Sequence, residues 1–140
     1  MDENQIAAGK DYCDVNSHEV SPNHELIAYS VDYNGSETYT ISIKNISTGK
    51  LLLDEISETD GSIIWDKDGL RLYYFTMDDE HRPNKLFVHT LGEAQSDDVC
   101  LFEERDGKFW MAAAKSASDK YLVLATCSSE TSEMHILDLS

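Results

Sequence analysis

The chain has 140 residues, 27 acids against 11 Lys and Arg, and a net charge of −16, enough length for one domain with a real core. So acidic a chain repels polyanions, which excludes nucleic acid and an anionic membrane surface as partners; solubility alone accounts for the charge equally well. No apolar run approaches the ~20 residues that span a bilayer, and Met-Asp-Glu-Asn-Gln-Ile is acidic where a secretory leader is basic.

In chain order, residues 1–16 read as a lead-in from something that precedes them. A strand at 17–20 runs into the turn Ser21-Pro22-Asn23-His24 and an apolar strand at 26–31. A third strand follows, with Tyr39, Ile41, Ile43 and Ile46 alternating with polar residues. After Ser47-Thr48-Gly49 comes a fourth, at 51–56. The pattern then returns. A strand at 61–65 leads to Asp66-Lys67-Asp68-Gly69, then to strands at 70–77, 86–91 and 99–103. It returns again as a strand at 109–114, the turn Ser116-Ala117-Ser118-Asp119, and strands at 121–126 and 134–139. The turns beginning at Ser21, Asp66 and Ser116 are 45 and 50 residues apart (66 − 21, 116 − 66). The strand candidates are rich in Ile, Val, Tyr, Thr and Phe, and turn clusters break them every 8–12 residues. No long window carries helical spacing.

Tandem units of four antiparallel strands in ~45 residues are the signature of propeller blades. The expected fold is all-β: about three four-stranded antiparallel blades of a larger, seven-bladed β-propeller, the last blade incomplete. The units are 17–57, 58–105 and 106–140. An immunoglobulin-like sandwich is the alternative, but eleven strands in three matching units are too many and too regular for it. A blade buries both faces against neighbours, and "LIAY", "RLYYF" and "YLVLA" are apolar without alternation, as that requires. Ile27, Ala28, Tyr29, Leu72, Tyr74, Leu122 and Leu124 are therefore expected in the core. Trp65 and Trp110, near the ends of corresponding strands, are expected to pack between units. Propellers close with typically four to eight blades, so the missing blades would come from a longer chain or from self-association.

Several stretches resemble the oligopeptidase B group of the prolyl oligopeptidase family of serine peptidases: "DENQIAAGKDY" at 2–12, "SPNHELIAYSVD" at 21–32, "GSIIWDKDG" at 61–69, "RPNKLFVHTLG" at 82–92 and "KFWMAAAKSASDKYLVLATC" at 108–127, in that order. Asn23 and His24 stand where that family more often has Asp and Gly. The resemblance implies a two-part protein. A seven-bladed propeller would gate an α/β-hydrolase domain carrying a Ser-Asp-His triad, and short peptides would be cut after Arg or Lys. None of the triad can be carried over to these residues.

The chain shows no chemistry of its own. The Gly-x-Ser-x-Gly nucleophile elbow is absent, and Ser128 and Ser129 lie in a polar loop. His18, His24, His81, His89 and His135 are scattered, and no His/Cys pair has zinc spacing. The "DKDG" turn has its Gly at position four, not the sixth position of a calcium loop. No catalytic residue, metal ligand or cofactor is therefore expected. Cys13, Cys100 and Cys127 form no motif and read as small buried hydrophobes in a reducing setting, so a cytoplasmic location is expected. Asn34-Gly-Ser36 and Asn45-Ile-Ser47 then match the glycosylation sequon by chance. The densest acid run is Asp78-Asp79-Glu80. It reads either as a solvated loop tip or, with acids in the equivalent loops "YNGSETY" and "SSETSE", as a weak candidate collar that draws basic short peptides. The alternative function is a free-standing acidic interaction module that binds basic proteins.

Overall fold

A computed structural model describes residues 2–139; Met1 and Ser140, the outer ends of the expected lead-in and third unit, lie outside the described residues. A short helix, α1 (Glu3–Ala7), precedes eleven strands. β1 (Asp14–Val20), β2 (Leu26–Asp32), β3 (Tyr39–Asn45) and β4 (Leu51–Thr59) pair in order. β5 (Ile64–Trp65), β6 (Arg71–Met77), β7 (Pro83–Thr90) and β8 (Val99–Glu103) do the same, as do β9 (Trp110–Lys115), β10 (Tyr121–Cys127) and β11 (Ser132–Asp138). Every pairing is antiparallel, and a single pair, Thr59 with Thr76, links β4 to β6. The fold is all-β, and each expected strand is present. β1 starts three residues earlier than expected, and the expected strand at 61–65 pairs only at Ile64 and Trp65.

The three repeated turns share one hydrogen-bond plan. The amides of Ser21, Asp66 and Ser116 donate to the carbonyls of Leu26, Arg71 and Tyr121 at 2.8–2.9 Å. Their side-chain oxygens accept the amides of Leu26, of Leu70 and Arg71, and of Tyr121. The fourth turn residue is left-handed in each: His24 (φ 61), Gly69 (φ 70) and Asp119 (φ 58). Short polar side chains cap such turns well, which is why Ser and Asp recur at the head of each one.

β6 shows why these strands lack alternation. Leu72 and Tyr74 face the first meander, in a cluster with Ala28, Ile41, Ile43, Ile56, Ile63 and Trp65. Tyr73 and Phe75 face the third, in a cluster with Leu86, Met111, Leu122, Leu124 and Leu139. A strand buried on both faces carries apolar residues at consecutive positions. The Trp65 indole N–H donates to the Glu19 carbonyl at 2.9 Å, which ties β5 to β1 across the first junction.

Three sequence expectations need correction. Trp110 is 47% exposed. It pairs with Cys127 at the end of β10, whereas Trp65 pairs with Leu72 near the start of β6, so the two sit at opposite ends of their strands and Met111 fills the core instead. Ile27 is half-buried at the turn end of β2; the other six expected core residues are buried. Cys100 is exposed on β8, and Cys13 and Cys127 are only partly covered. The lead-in holds α1, capped by Asp2, whose side chain accepts the Asn4 amide at 2.9 Å.

Candidate functional site

Strand direction alternates along each meander, so the β2–β3, β6–β7 and β10–β11 loops emerge at one end, together with the connections leaving β4 and β8. Each of these three loops opens on a side chain that binds its own backbone. Asp32 accepts the amides of Asn34 (3.0 Å), Gly35 (3.0 Å) and Glu37 (2.8 Å). Asp78 accepts those of Glu80 and Arg82, both at 3.0 Å, and pairs with the Arg82 guanidinium. Ser128 Oγ accepts those of Glu130 (3.2 Å) and Thr131 (3.0 Å). Burial alone would raise both carboxyls. For Asp32 the amides of Asn34, Glu37, Gly35 and Ser36 outweigh it, and for Asp78 the amides of Arg82 and Glu80 and the Arg82 charge do so; both are held below the usual carboxylate range.

This geometry divides the candidate acids. Asp78 is committed to its hairpin, while Asp79 and Glu80 are exposed at the tip. The first two hairpins touch: His81 Nε2 lies 2.9 Å from the Ser36 carbonyl. A carbonyl only accepts, so Nε2 carries the hydrogen. Beside this contact is an open recess of ≈ 360 Å³ lined by both hairpins and the end of β4; its acids are Glu58, Asp78 and Asp79, and His81 also lines it. Glu58 was not singled out by the sequence reading, and His81 was named there only among the scattered histidines, since their approach depends on where β4 ends beside the second hairpin. Asp32 and Asp78 each close the apolar strand that follows a repeated turn, 11 and 12 residues beyond Ser21 and Asp66 (32 − 21, 78 − 66), a signal for loop caps that the sequence reading did not use.

Chemically, this end can attract cations. Of its serines, Ser128 spends its hydroxyl on loop amides and on Thr131. Among the described residues no group of three His, Cys, Asp or Glu could hold a metal ion, and no helix is long and apolar enough to cross a membrane.

Consecutive antiparallel meanders with cores between them define a propeller segment. The family described as "Prolyl oligopeptidase, N-terminal beta-propeller domain" matches residues 1–140, and the chain belongs to that family. It is 38% identical over 135 residues to dipeptidyl aminopeptidase BI of Pseudoxanthomonas mexicana, covering 96% of this chain and 19% of that protein. It is 35% identical over 140 residues to protease 2 of Moraxella lacunata, covering 99% and 20%. Oligopeptidase B from Leishmania major superposes with a TM-score of 0.95 at 42% identity, covering 99% of this chain and 20% of that one. The Trypanosoma brucei oligopeptidase B, in a closed form with covalently bound antipain, gives 0.91 at 39%, covering 99% and 19%. The chain thus spans about a fifth of the length of these relatives.

Proposed function

We propose that this chain is part of the substrate-gating propeller of a serine oligopeptidase that cleaves short peptides after Arg or Lys. It supplies no catalytic group and lends the propeller an acidic loop end that draws basic peptides toward the entrance. The observation that carries this is the placement of Glu37, Glu58, Asp79 and Glu80 at one end of the sheets, exposed to solvent, while the neighbouring Asp32 and Asp78 are bound internally. Fixed charges that line an opening raise the local concentration and on-rate of oppositely charged ligands. The names of the relatives, all peptidases, agree with the reaction class.

The test uses the whole peptidase carrying this segment, with Glu58→Gln, Asp79→Asn and Glu80→Gln combined. These changes should lower kcat/KM for Arg- and Lys-containing peptides by roughly 3–10-fold at low salt, with the gap narrowing as salt screens the field. Neutral peptides should be unaffected. An equal effect on basic and neutral peptides, or none, overturns the steering role.

A further inference from the structure

A second cluster of charged groups lies at the outer part of the first junction and plays no part in the acidic loop end. His89, on β7, is fully buried. Its Nδ1 stands 2.7 Å from Asp98 Oδ1 and its Nε2 stands 2.8 Å from Asp54 Oδ2. Asp54 comes from β4 of the first meander, and Asp98 lies just before β8 of the second, so the imidazole bridges the two. The Asp54 and Asp98 side chains are only 6% and 1% exposed. Asp54 Oδ2 also accepts the Gly92 amide at 2.8 Å, and Asp98 Oδ2 accepts the Tyr74 hydroxyl at 2.6 Å.

The protons of this cluster can be counted. A ring nitrogen 2.7–2.8 Å from a carboxylate oxygen needs a hydrogen between them. Two such contacts need two. A neutral imidazole brings one, and two carboxylates bring none. The closed arrangement therefore holds one proton more than a neutral histidine between two carboxylates. Without that proton, a nitrogen lone pair faces a carboxylate across a buried gap, where repulsion is poorly screened.

The groups that face His89 are Asp54 from β4, Asp98 from the segment before β8 and, through Asp98, Tyr74 from β6. Cys100 on β8 lies within electrostatic range of Tyr74. Burial first, and then the hydrogen bond to Asp98, hold the Tyr74 hydroxyl far above its usual range, so it stays a donor while the cluster gains or loses its proton.

We propose that Asp54, His89 and Asp98 form a proton-operated latch between the first two meanders, closed while the additional proton is bound and loosened when it leaves. Other fastenings at the same junction do not titrate: Gln95 exchanges hydrogen bonds with the Ser57 backbone in both directions at 2.9 Å, and Trp65 holds β1. Opening is therefore local to Asp54 on β4 and to Gly92 and Asp98 at the two ends of the β7–β8 connection, while Gln95 between them stays fastened to Ser57.

The test is long-range ¹H–¹⁵N NMR of the full chain with labelled histidine, followed over pH together with amide exchange corrected for the intrinsic rate. With the additional proton bound, both hydrogens of the cluster should be seen, one on each N···O contact. As pH rises, the His89 signals should change, and exchange of the Gly92 amide should accelerate in step by about ten- to a hundredfold. Amides of β9–β11 should not respond. In His89→Phe, Gly92 should exchange quickly at every pH, without a step. In Asp54→Asn, an acceptor for Gly92 remains and the step should vanish. A bare His89 nitrogen throughout the pH range with Gly92 still protected overturns the latch, as does the same step in His89→Phe. The wild-type spectra decide the matter even if a variant fails to fold.

Discussion

Burial of β6 on both faces is the feature that separates stacked blades from a one-sided sheet, and two truncations test it together. Leu72 is fully buried toward the first meander, and Phe75, 2% exposed, is buried toward the third. Removing a buried Leu side chain to Ala costs about 2–5 kcal/mol, and a Phe about 3–5 kcal/mol, as lost transfer energy plus the cavity left behind. Leu72 has β-sheet neighbours that cannot collapse inward, so Leu72→Ala belongs in the upper half of its range, at about 3–5 kcal/mol. That corresponds to a fall of roughly 10–17 °C in Tm for a chain of this size. Phe75→Ala should cost about as much. Leu137→Ala is the control: Leu137 is 38% exposed on β11, and its loss should cost about 1 kcal/mol or less. Urea unfolding followed by near-UV circular dichroism of the two tryptophans and of the tyrosines reads all three. Should one of the two β6 truncations be near-neutral while the other is costly, β6 has a single buried face and the stacked arrangement is wrong.

Three further outcomes follow from named groups. Asp32 and Asp78 are held below the usual carboxylate range, so the unfolded chain takes up protons first as pH falls. Their contribution is fully present above about pH 4 and is lost as pH drops through their folded values; Asp78→Asn should cost about 1–2 kcal/mol at neutral pH, and its unfolding curve should merge with the wild type in acid. The hydrogen bond to Asp14 (2.8 Å), and then burial, push Tyr39 up to about 12. Its stabilisation is complete below about pH 10 and disappears as pH rises through about 12, a step that Tyr39→Phe should remove from alkaline unfolding curves. Finally, Met134 and Ile136 on β11 are 73% and 69% exposed, and β11 pairs only with β10 among the described residues; sedimentation over a concentration series should show self-association that strengthens with salt, and a strictly monomeric chain that leaves a hydrophobic dye dark would contradict it.

The sequence revealed most where one local rule repeats. Ser21, Asp66 and Ser116 each close the same turn, so their spacing disclosed the unit and, with it, eleven strands. The unbroken apolar run at 72–75 disclosed burial on two faces. What the sequence hid depends on contacts between units. Whether Ile27 or Trp110 is covered turns on which end of a strand meets a neighbour, and a one-residue pattern carries no such information. The helix Glu3–Ala7 is a single turn and a half, too short for any periodicity to register. His89 gave no local signal, because Asp98 lies 9 residues away across the β7–β8 connection and Asp54, 35 residues away, meets it only once the first two meanders dock. At the acidic end, the sequence located the loops, but it could not divide Asp78, bound within its hairpin, from Asp79 and Glu80 beside it.

The measurement that bears most directly on the account is labelling with a fluorophosphonate, which reacts with activated serines. Both the 140-residue chain and the longer peptidase proposed to contain it would be treated, and the modified residue mapped by mass spectrometry. The account predicts that the chain alone remains unlabelled and turns over no Arg or Lys ester. The longer polypeptide should take up one equivalent at a serine outside residues 1–140. Stoichiometric labelling of a serine within the chain, at Ser128 or Ser129 for instance, would contradict the reading of these residues as a propeller segment without catalytic machinery.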